Sequence, residues 1–260
     1  MSMTLGVSRP DQAAYMLRAA AADAGRAYKR ELIDLLDVRP GHTALDVGCG
    51  PGTDLSALAE RVGPDGTVFG VDRDPAMLAE ARLRTDALPA VEIREGDAHA
   101  LPVEPGTVDR VKTDRVLMHV AEPADVLAQL HLVTRPGGLI GLTEPDWDTL
   151  AVDAEDLETS RAFTRYTTSR LVRHATVGRG LARLAARAGF TVETVLATTS
   201  VFRDFQDADH TLGLGRNVQR AIKDGVIDET RGRRWFAALS EGPFFASFTL
   251  ISVVGRRPVS

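Results

Sequence analysis

Cysteine is almost absent from this sequence. Cys49 is the only one, so no disulfide can form within the chain and a reducing compartment is expected. Lysine is nearly as scarce, at Lys29, Lys112 and Lys223, and a formal net charge of −5 leaves no general basic footprint for nucleic acid. No apolar run is long enough to span a bilayer, and the opening MSMTLGVSRPDQ has no signal-peptide core. A membrane partner is therefore not expected, and the cytoplasm is the expected address. Repeats and low-complexity linkers are missing as well. So are clusters of His, Cys, Asp and Glu at metal-ligand spacing, and the G-x-S-x-G turn of nucleophilic hydrolases.

What is present suits a globular enzyme-sized domain: 260 residues, 44% hydrophobic and 26% charged. Residues 11–37 are alanine-rich with a helical pattern. Short apolar runs then alternate with amphipathic stretches: TALDVG at 43–48, GTVFGVD at 66–72, VEIREGD at 91–97, VDRVKTD at 108–114 and GLIGLTE at 138–144. Strands alternating with helices of this length imply right-handed parallel βαβ units in a doubly wound α/β sheet, covered on both faces. Two further strands are expected at 190–202 and 247–257, making seven, mostly parallel. The stretches at 146–180 and 204–245 are too long and too helical to be plain connections, so they are expected as cap insertions after the fifth and sixth strands. The expectation is one domain over 1–260, with an N-terminal helical segment at 1–40 and a ligand-binding core at 41–145. Arg179, Arg183 and Arg187 recur at helical spacing, either as a solvated face or as an anion site.

LDVGCGPGTD, residues 45–54, concentrates glycine where an open α/β sheet binds its ligand, beyond the carboxyl end of the first strand. Glycine permits a positive φ and lets a ligand lie against bare main chain, while the following helix start offers free N–H groups. A dinucleotide loop would read G-x-G-x-x-G, but Thr53 stands at the third position and the third glycine comes early, at Gly52. Asp72, at the tip of the second strand, could hydrogen-bond a ribose diol in a dinucleotide or in another nucleoside cofactor.

LDVGCGPG, GVD and EGDA, in that order at the ends of strands one, two and three, resemble class I S-adenosylmethionine-dependent methyltransferases. The likeness is to the small-molecule group related to ubiquinone and menaquinone biosynthesis and to bacterial natural-product enzymes, and it runs from about residue 30 to 145. The resemblance implies a seven-stranded Rossmann-like fold, S-adenosylmethionine as cofactor and S-adenosylhomocysteine as product. It also implies contacts. Asp46 and the loop Gly48, Cys49, Gly50 and Gly52 would hold the methionine end; Asp46 could instead brace the loop, and Cys49 could simply be small and buried. Asp72 would take the ribose hydroxyls, with Arg73 and Met77 flanking the adenine. Gly96, Asp97 and Ala98 would meet the adenine edge. Thr113, Asp114 and Arg115, in KTDRVLMHV, would lie by the cofactor's amino group. A sulfonium needs no long phosphate cradle and favours acidic neighbours, which agrees with aspartates at the strand ends.

The acceptor side is carried by fewer residues. His119, beyond the fourth strand, is the candidate general base, because imidazole titrates near neutrality; it could equally brace a helix. Glu144, Asp146 and Trp147 are expected to open the first cap at the pocket mouth, with Trp147 stacking on an acceptor or sealing the cap. Tyr15, Tyr166 and Arg170 are further substrate-side candidates, and His174, Phe202 and His210 weaker ones. The expected activity is methyl transfer to a small, hydrophobic metabolite of secondary metabolism, on O or C before N. The alternatives are a protein of this fold that binds the cofactor without transferring methyl and, more distantly, a nicotinamide-dependent oxidoreductase. The sequence leaves a homodimer open.

Overall fold

The computed structural model describes residues 23–259. Its strands are β1 (Thr43–Val47), β2 (Thr67–Asp72), β3 (Val91–Glu95), β4 (Val108–Asp114), β5 (Thr134–Val152), β6 (Thr191–Phe202) and β7 (Ala246–Arg256). Its α-helices are α1 (Asp23–Leu35), α2 (Leu55–Val62), α3 (Pro75–Thr85), α4 (Pro123–Val133), α5 (Leu157–Tyr166), α6 (Val177–Arg187), α7 (Phe205–Leu212), α8 (Leu214–Lys223) and α9 (Glu229–Leu239). A π-helical turn over Thr167–Leu171 follows α5. Of the helix expected over 11–37, residues 11–22 lie outside the described part.

The strands form one seven-stranded sheet in the order β3-β2-β1-β4-β5-β7-β6, with β7 antiparallel to both neighbours and the pairs from β3 to β5 all parallel. The doubly wound, mostly parallel sheet expected from the sequence is therefore the observed one. The chain winds outward from β1 through β2 to β3, then returns to place β4 on the other side of β1. That reversal opens a crevice beyond the carboxyl ends of β1 and β4.

Strand residues alternate between two apolar layers. Ala44 packs with Leu32 and Leu36 beside α1, with Leu55 and Leu58 of α2, and with Leu78 and Ala81 of α3. Its neighbour Leu45 faces the opposite layer with Leu127 and Leu130 of α4 and Leu181 and Ala185 of α6. Asp74 and Pro75 open α3 as a cap and first-turn pair, and the Asp74 carboxylate accepts from the Ala76 N–H at 2.9 Å.

A third apolar cluster lies apart from the sheet layers. It joins Phe163 and Tyr166 of α5, Leu212 of α7, Leu214 and Val218 of α8 and Trp235 of α9 to Leu150 and Leu250 at the far ends of β5 and β7. Polar contacts cross the same junction: Trp235 Nε1 donates to Ser160 Oγ at 2.9 Å, and Arg231 pairs with Asp156. The two inserted helical segments thus pack as one cap over the strand ends.

The fifth strand departs from expectation. It runs over Thr134–Val152 rather than 138–144, so residues 146–152, expected to begin a cap, are strand. The reason is its partner. β7 pairs antiparallel with β5 as far as Asp146, then after an irregularity pairs again at Ala151 and Val152, extending the ladder past the sheet edge into the cap.

Candidate functional site

The crevice holds a cavity of about 800 Å³. On its strand side lie Gly48 and Gly50 after β1, Asp72, Arg73 and Met77 around the end of β2, and Gly96, Asp97 and Ala98 after β3. Asp114, Arg115 and His119 after β4 continue the wall, and Trp147 with Phe248 joins it to His210, Thr211 and Arg216 of the cap.

The glycine loop is fixed by main-chain bonds. The N–H groups of Gly48 and Cys49 both donate to Val71 O, at 2.7 and 3.0 Å. Gly48 has φ +71°, and a Cβ there would stand 2.3 Å from Val116 Cγ2, so no side chain fits between the loop and the segment after β4. Gly52 serves packing instead: its Cβ would press on Ala81 of α3 at 3.2 Å, and it does not line the cavity. Asp72 is doubly held. One carboxylate oxygen accepts from Gly50 N at 2.9 Å and the other from Asp74 N at 3.0 Å, leaving further lone pairs toward the cavity. Asp97 accepts from the His99 backbone N–H at 2.8 Å and meets its Nδ1 at 2.6 Å; these bonds hold its carboxyl below the usual range.

Behind the loop lies a second, small cavity of about 20 Å³ lined by Asp46, Cys49, Asp54 and Lys112, among others. It sits in a buried ionic cluster gathered from separate segments of the chain. Lys112 of β4 reaches Asp46 at 3.4 Å and Asp54 at 2.5 Å. Lys29 of α1 reaches Asp54 at 2.7 Å and Asp114 at 2.9 Å, Arg115 reaches Asp114 at 3.4 Å, and the Tyr28 hydroxyl donates to Asp114 at 3.0 Å. Three carboxylates thus face three cations. Burial pushes the Asp46 carboxyl up to about 6; at Asp114 burial also raises, but Lys29, Arg115 and Lys112 together outweigh it and hold the carboxyl far below the usual range. Cys49 is buried, and desolvation raises its thiol far above the ordinary value.

The segment after β4 turns through Arg115, whose φ of +58° is left-handed and unusual for a residue with a side chain. Three successive N–H groups then converge on Glu144. Val116 and Leu117 donate to Oε1 at 2.7 and 2.5 Å, and Met118 donates to Oε2 at 3.3 Å. Glu144 is fully buried, and desolvation pushes its carboxyl up to about 8 against the lowering effect of those bonds. It therefore pins the loop that carries His119 from below and does not line the cavity. His119 opens onto the cavity; partial desolvation, then Arg73 and Arg115, lower its imidazole from the ordinary value, so the neutral base form prevails at pH 7.

Other expected positions fall elsewhere. Thr113 is buried beneath the loop, with its Oγ1 unpartnered among the described residues. Asp146 is paired with Arg179, one of the three arginines at helical spacing. Trp147 stacks on Phe248, centroids 4.9 Å apart, at the cavity wall. Tyr166 donates to Asp224 at 2.8 Å inside the cap, Arg170 is exposed away from the cavity wall, and Tyr15 lies outside the described residues. Missed by the sequence reading were Lys29, Asp54 and Lys112, which gather from distant segments, and Arg216. A lysine inside an apolar strand was the one available signal.

Comparison with known proteins places this geometry among relatives. The sequence profile of a family described as "Methyltransferase domain" matches residues 39–209. An uncharacterized 37.1 kDa protein in transposon TN4556 of Streptomyces fradiae is 52% identical over 247 residues, 95% of this chain and 72% of that one. Demethylmenaquinone methyltransferase of Bacillus mycoides is 37% identical over 127 residues, 48% of this chain and 54% of that protein. Nocamycin O-methyltransferase of Saccharothrix syringae is 38% identical over 137 residues, 52% and 49% of the two chains. The chain thus spans about half the length of these curated methyltransferases. Among solved structures, geranyl diphosphate methyltransferase in complex with its diphosphate and sinefungin superposes with a TM-score of 0.58 at 20% identity, over 90% of this chain and 77% of that one; this is a likeness of fold.

Proposed function

The chain belongs to the methyltransferase-domain family and is an S-adenosylmethionine-dependent methyltransferase; from that premise we propose that it methylates a small, largely apolar metabolite seated between the loop after β4 and the cap. The observation that carries this reading is the shared cavity, lined by the glycine loop and the acids Asp72 and Asp97 at its strand-side end and by His119, Trp147 and Phe248 at the other.

Bound at the strand ends, S-adenosylmethionine supplies an electrophilic methyl carbon on a sulfonium. The residues suit it. The bare main chain at Gly48 and Gly50 would admit the methionine end, with Asp46 bracing the loop from behind instead of lining the cavity, and Asp72, fixed through both oxygens, keeps lone pairs for two ribose hydroxyls. Asp97 and Ala98 stand where the adenine edge would lie, with Met77 against its face. The strand-end carboxylates favour a cationic ligand. Holding donor and acceptor in line contributes about 7–11 kcal/mol in well-oriented reactions. His119, neutral at pH 7, takes the proton from the acceptor's hydroxyl or acidic carbon, a role worth roughly 10²–10⁴-fold. Transfer to O or C is favoured over N, oxygen being the atom named for the relative nocamycin O-methyltransferase.

The test is turnover. Purified protein given S-adenosylmethionine and a metabolite extract should release S-adenosylhomocysteine and form a compound heavier by one methylene. Cofactor that binds and is never consumed across such extracts would overturn transfer and leave a binding role.

A further inference from the structure

The cavity's two sides differ in charge: the strand side mixes acids with Arg73 and Arg115, whereas the cap side has cationic groups alone. Its acids, Asp72, Asp74, Asp97 and Asp114, all belong to strand ends, and each already has a hydrogen-bond or ion-pair partner. The cap contributes His210, Thr211 and Arg216 and no acid. The chain as a whole is acidic, so this local excess of cationic groups is not a by-product of composition.

Both basic side chains are oriented by their own backbone. Gly213, at φ +64°, joins α7 to α8, and a Cβ there would lie 2.6 Å from the Arg216 guanidinium. A bare residue at the junction is what lets that guanidinium lie against the main chain at the cavity wall. No carboxylate pairs with Arg216 among the described residues. His210 meets Gln206 O through Nδ1 at 2.7 Å, so Nδ1 carries the hydrogen and Nε2 is left for a ligand. Between this basic end and His119 the wall is apolar, with the Trp147–Phe248 stack and Met118.

We propose that the methyl acceptor is amphiphilic: an apolar, flat body against Trp147 and Phe248, ending in a carboxylate or phosphate that Arg216 receives at the cap. This rests on the transfer reading above and narrows its substrate class. A guanidinium offers parallel donors to either oxyanion. The anionic end at the cap fixes which end of the acceptor points toward His119.

The probe pair is 2-naphthoate and its uncharged analogue 2-naphthamide, titrated calorimetrically into protein saturated with S-adenosylhomocysteine. Naphthoate should bind at least tenfold more tightly than the amide. R216A should reduce that preference to twofold or less while S-adenosylhomocysteine affinity stays unchanged. R220A, one turn further along α8 and away from the cavity, should retain the preference. Equal affinity for both probes, no binding of either at millimolar concentration, or a preference that survives R216A overturns this proposal alone. Failure of S-adenosylhomocysteine itself to bind would overturn the cofactor reading and this proposal with it.

Discussion

The two walls of the cavity are built in different ways. The strand-side wall is made of main chain and short acids whose positions follow from sheet register: Gly48 beside β1, Asp72 at the end of β2, Asp114 at the end of β4. It rests on a buried ionic cluster. The cap wall is made of side chains carried by helices that pack on their own apolar core, apart from the sheet layers. A wall built on register can tolerate little change, because a moved residue moves a strand. A wall built of side chains on separate helices can be rewritten for a new acceptor while the donor site stays fixed. On the reading proposed above, it is the less constrained wall that would select the acceptor.

That contrast can be broken most severely at Lys112. Replacing it with methionine strips the cation that Asp46 and Asp54 share inside the protein, and removing one partner of a buried pair costs about 3–5 kcal/mol. Thermal or urea unfolding of Lys112→Met should show that loss, and a change under about 1 kcal/mol would mean that Lys29 alone carries the cluster. Gly48→Ala comes next. Its Cβ must displace Val116 from a left-handed backbone position, so affinity for S-adenosylhomocysteine should fall by roughly 100-fold, a loss of about 2.7 kcal/mol by calorimetry. His119→Ala, on the boundary between the walls, should leave that affinity intact and lower turnover at least tenfold. In the parent enzyme the rate should drop on acidification below the ordinary histidine range, as the imidazole gains its proton, and this limb should vanish in the variant. Unchanged turnover returns His119 to a bracing role.

The smallest effect is expected at Glu144. Its carboxyl titrates near 8 in the fold and near 4.5 when unfolded, so between those values the folded state binds more protons and stability declines as pH rises. Glu144→Gln should flatten that decline, because an amide has no proton to lose over this range. A pH series of unfolding midpoints that is identical in parent and variant would assign the slope to another group.

The strand-side wall was the legible one. Its motifs are local: a glycine loop directly after one strand and an acid at the tip of the next carry their spacing in the chain itself. The ionic cluster was not legible, because Lys29, Asp54 and Lys112 come from three separate segments and meet only when α1 docks and β4 pairs with β1. Glu144 was noticed for its place after an apolar run, yet the ladder to β7 carries β5 past it and turns its side chain under the neighbouring loop. The cap posed the same difficulty on a larger scale. Helical patterning marks 146–180 and 204–245 as insertions, but what joins them appears only in the fold, where Phe163 packs on Trp235, Ser160 accepts from the same indole and Arg231 pairs with Asp156.

Cys49 sits in the middle of the glycine loop, buried, with its thiol held un-ionised by desolvation. Thiols react as thiolates, so this one can be alkylated only while the loop is open to water. Because the chain has no other cysteine, the rate at which iodoacetamide adds one label is a clock for that opening. The donor site thus carries its own stopwatch, and it needs no engineered probe to be read.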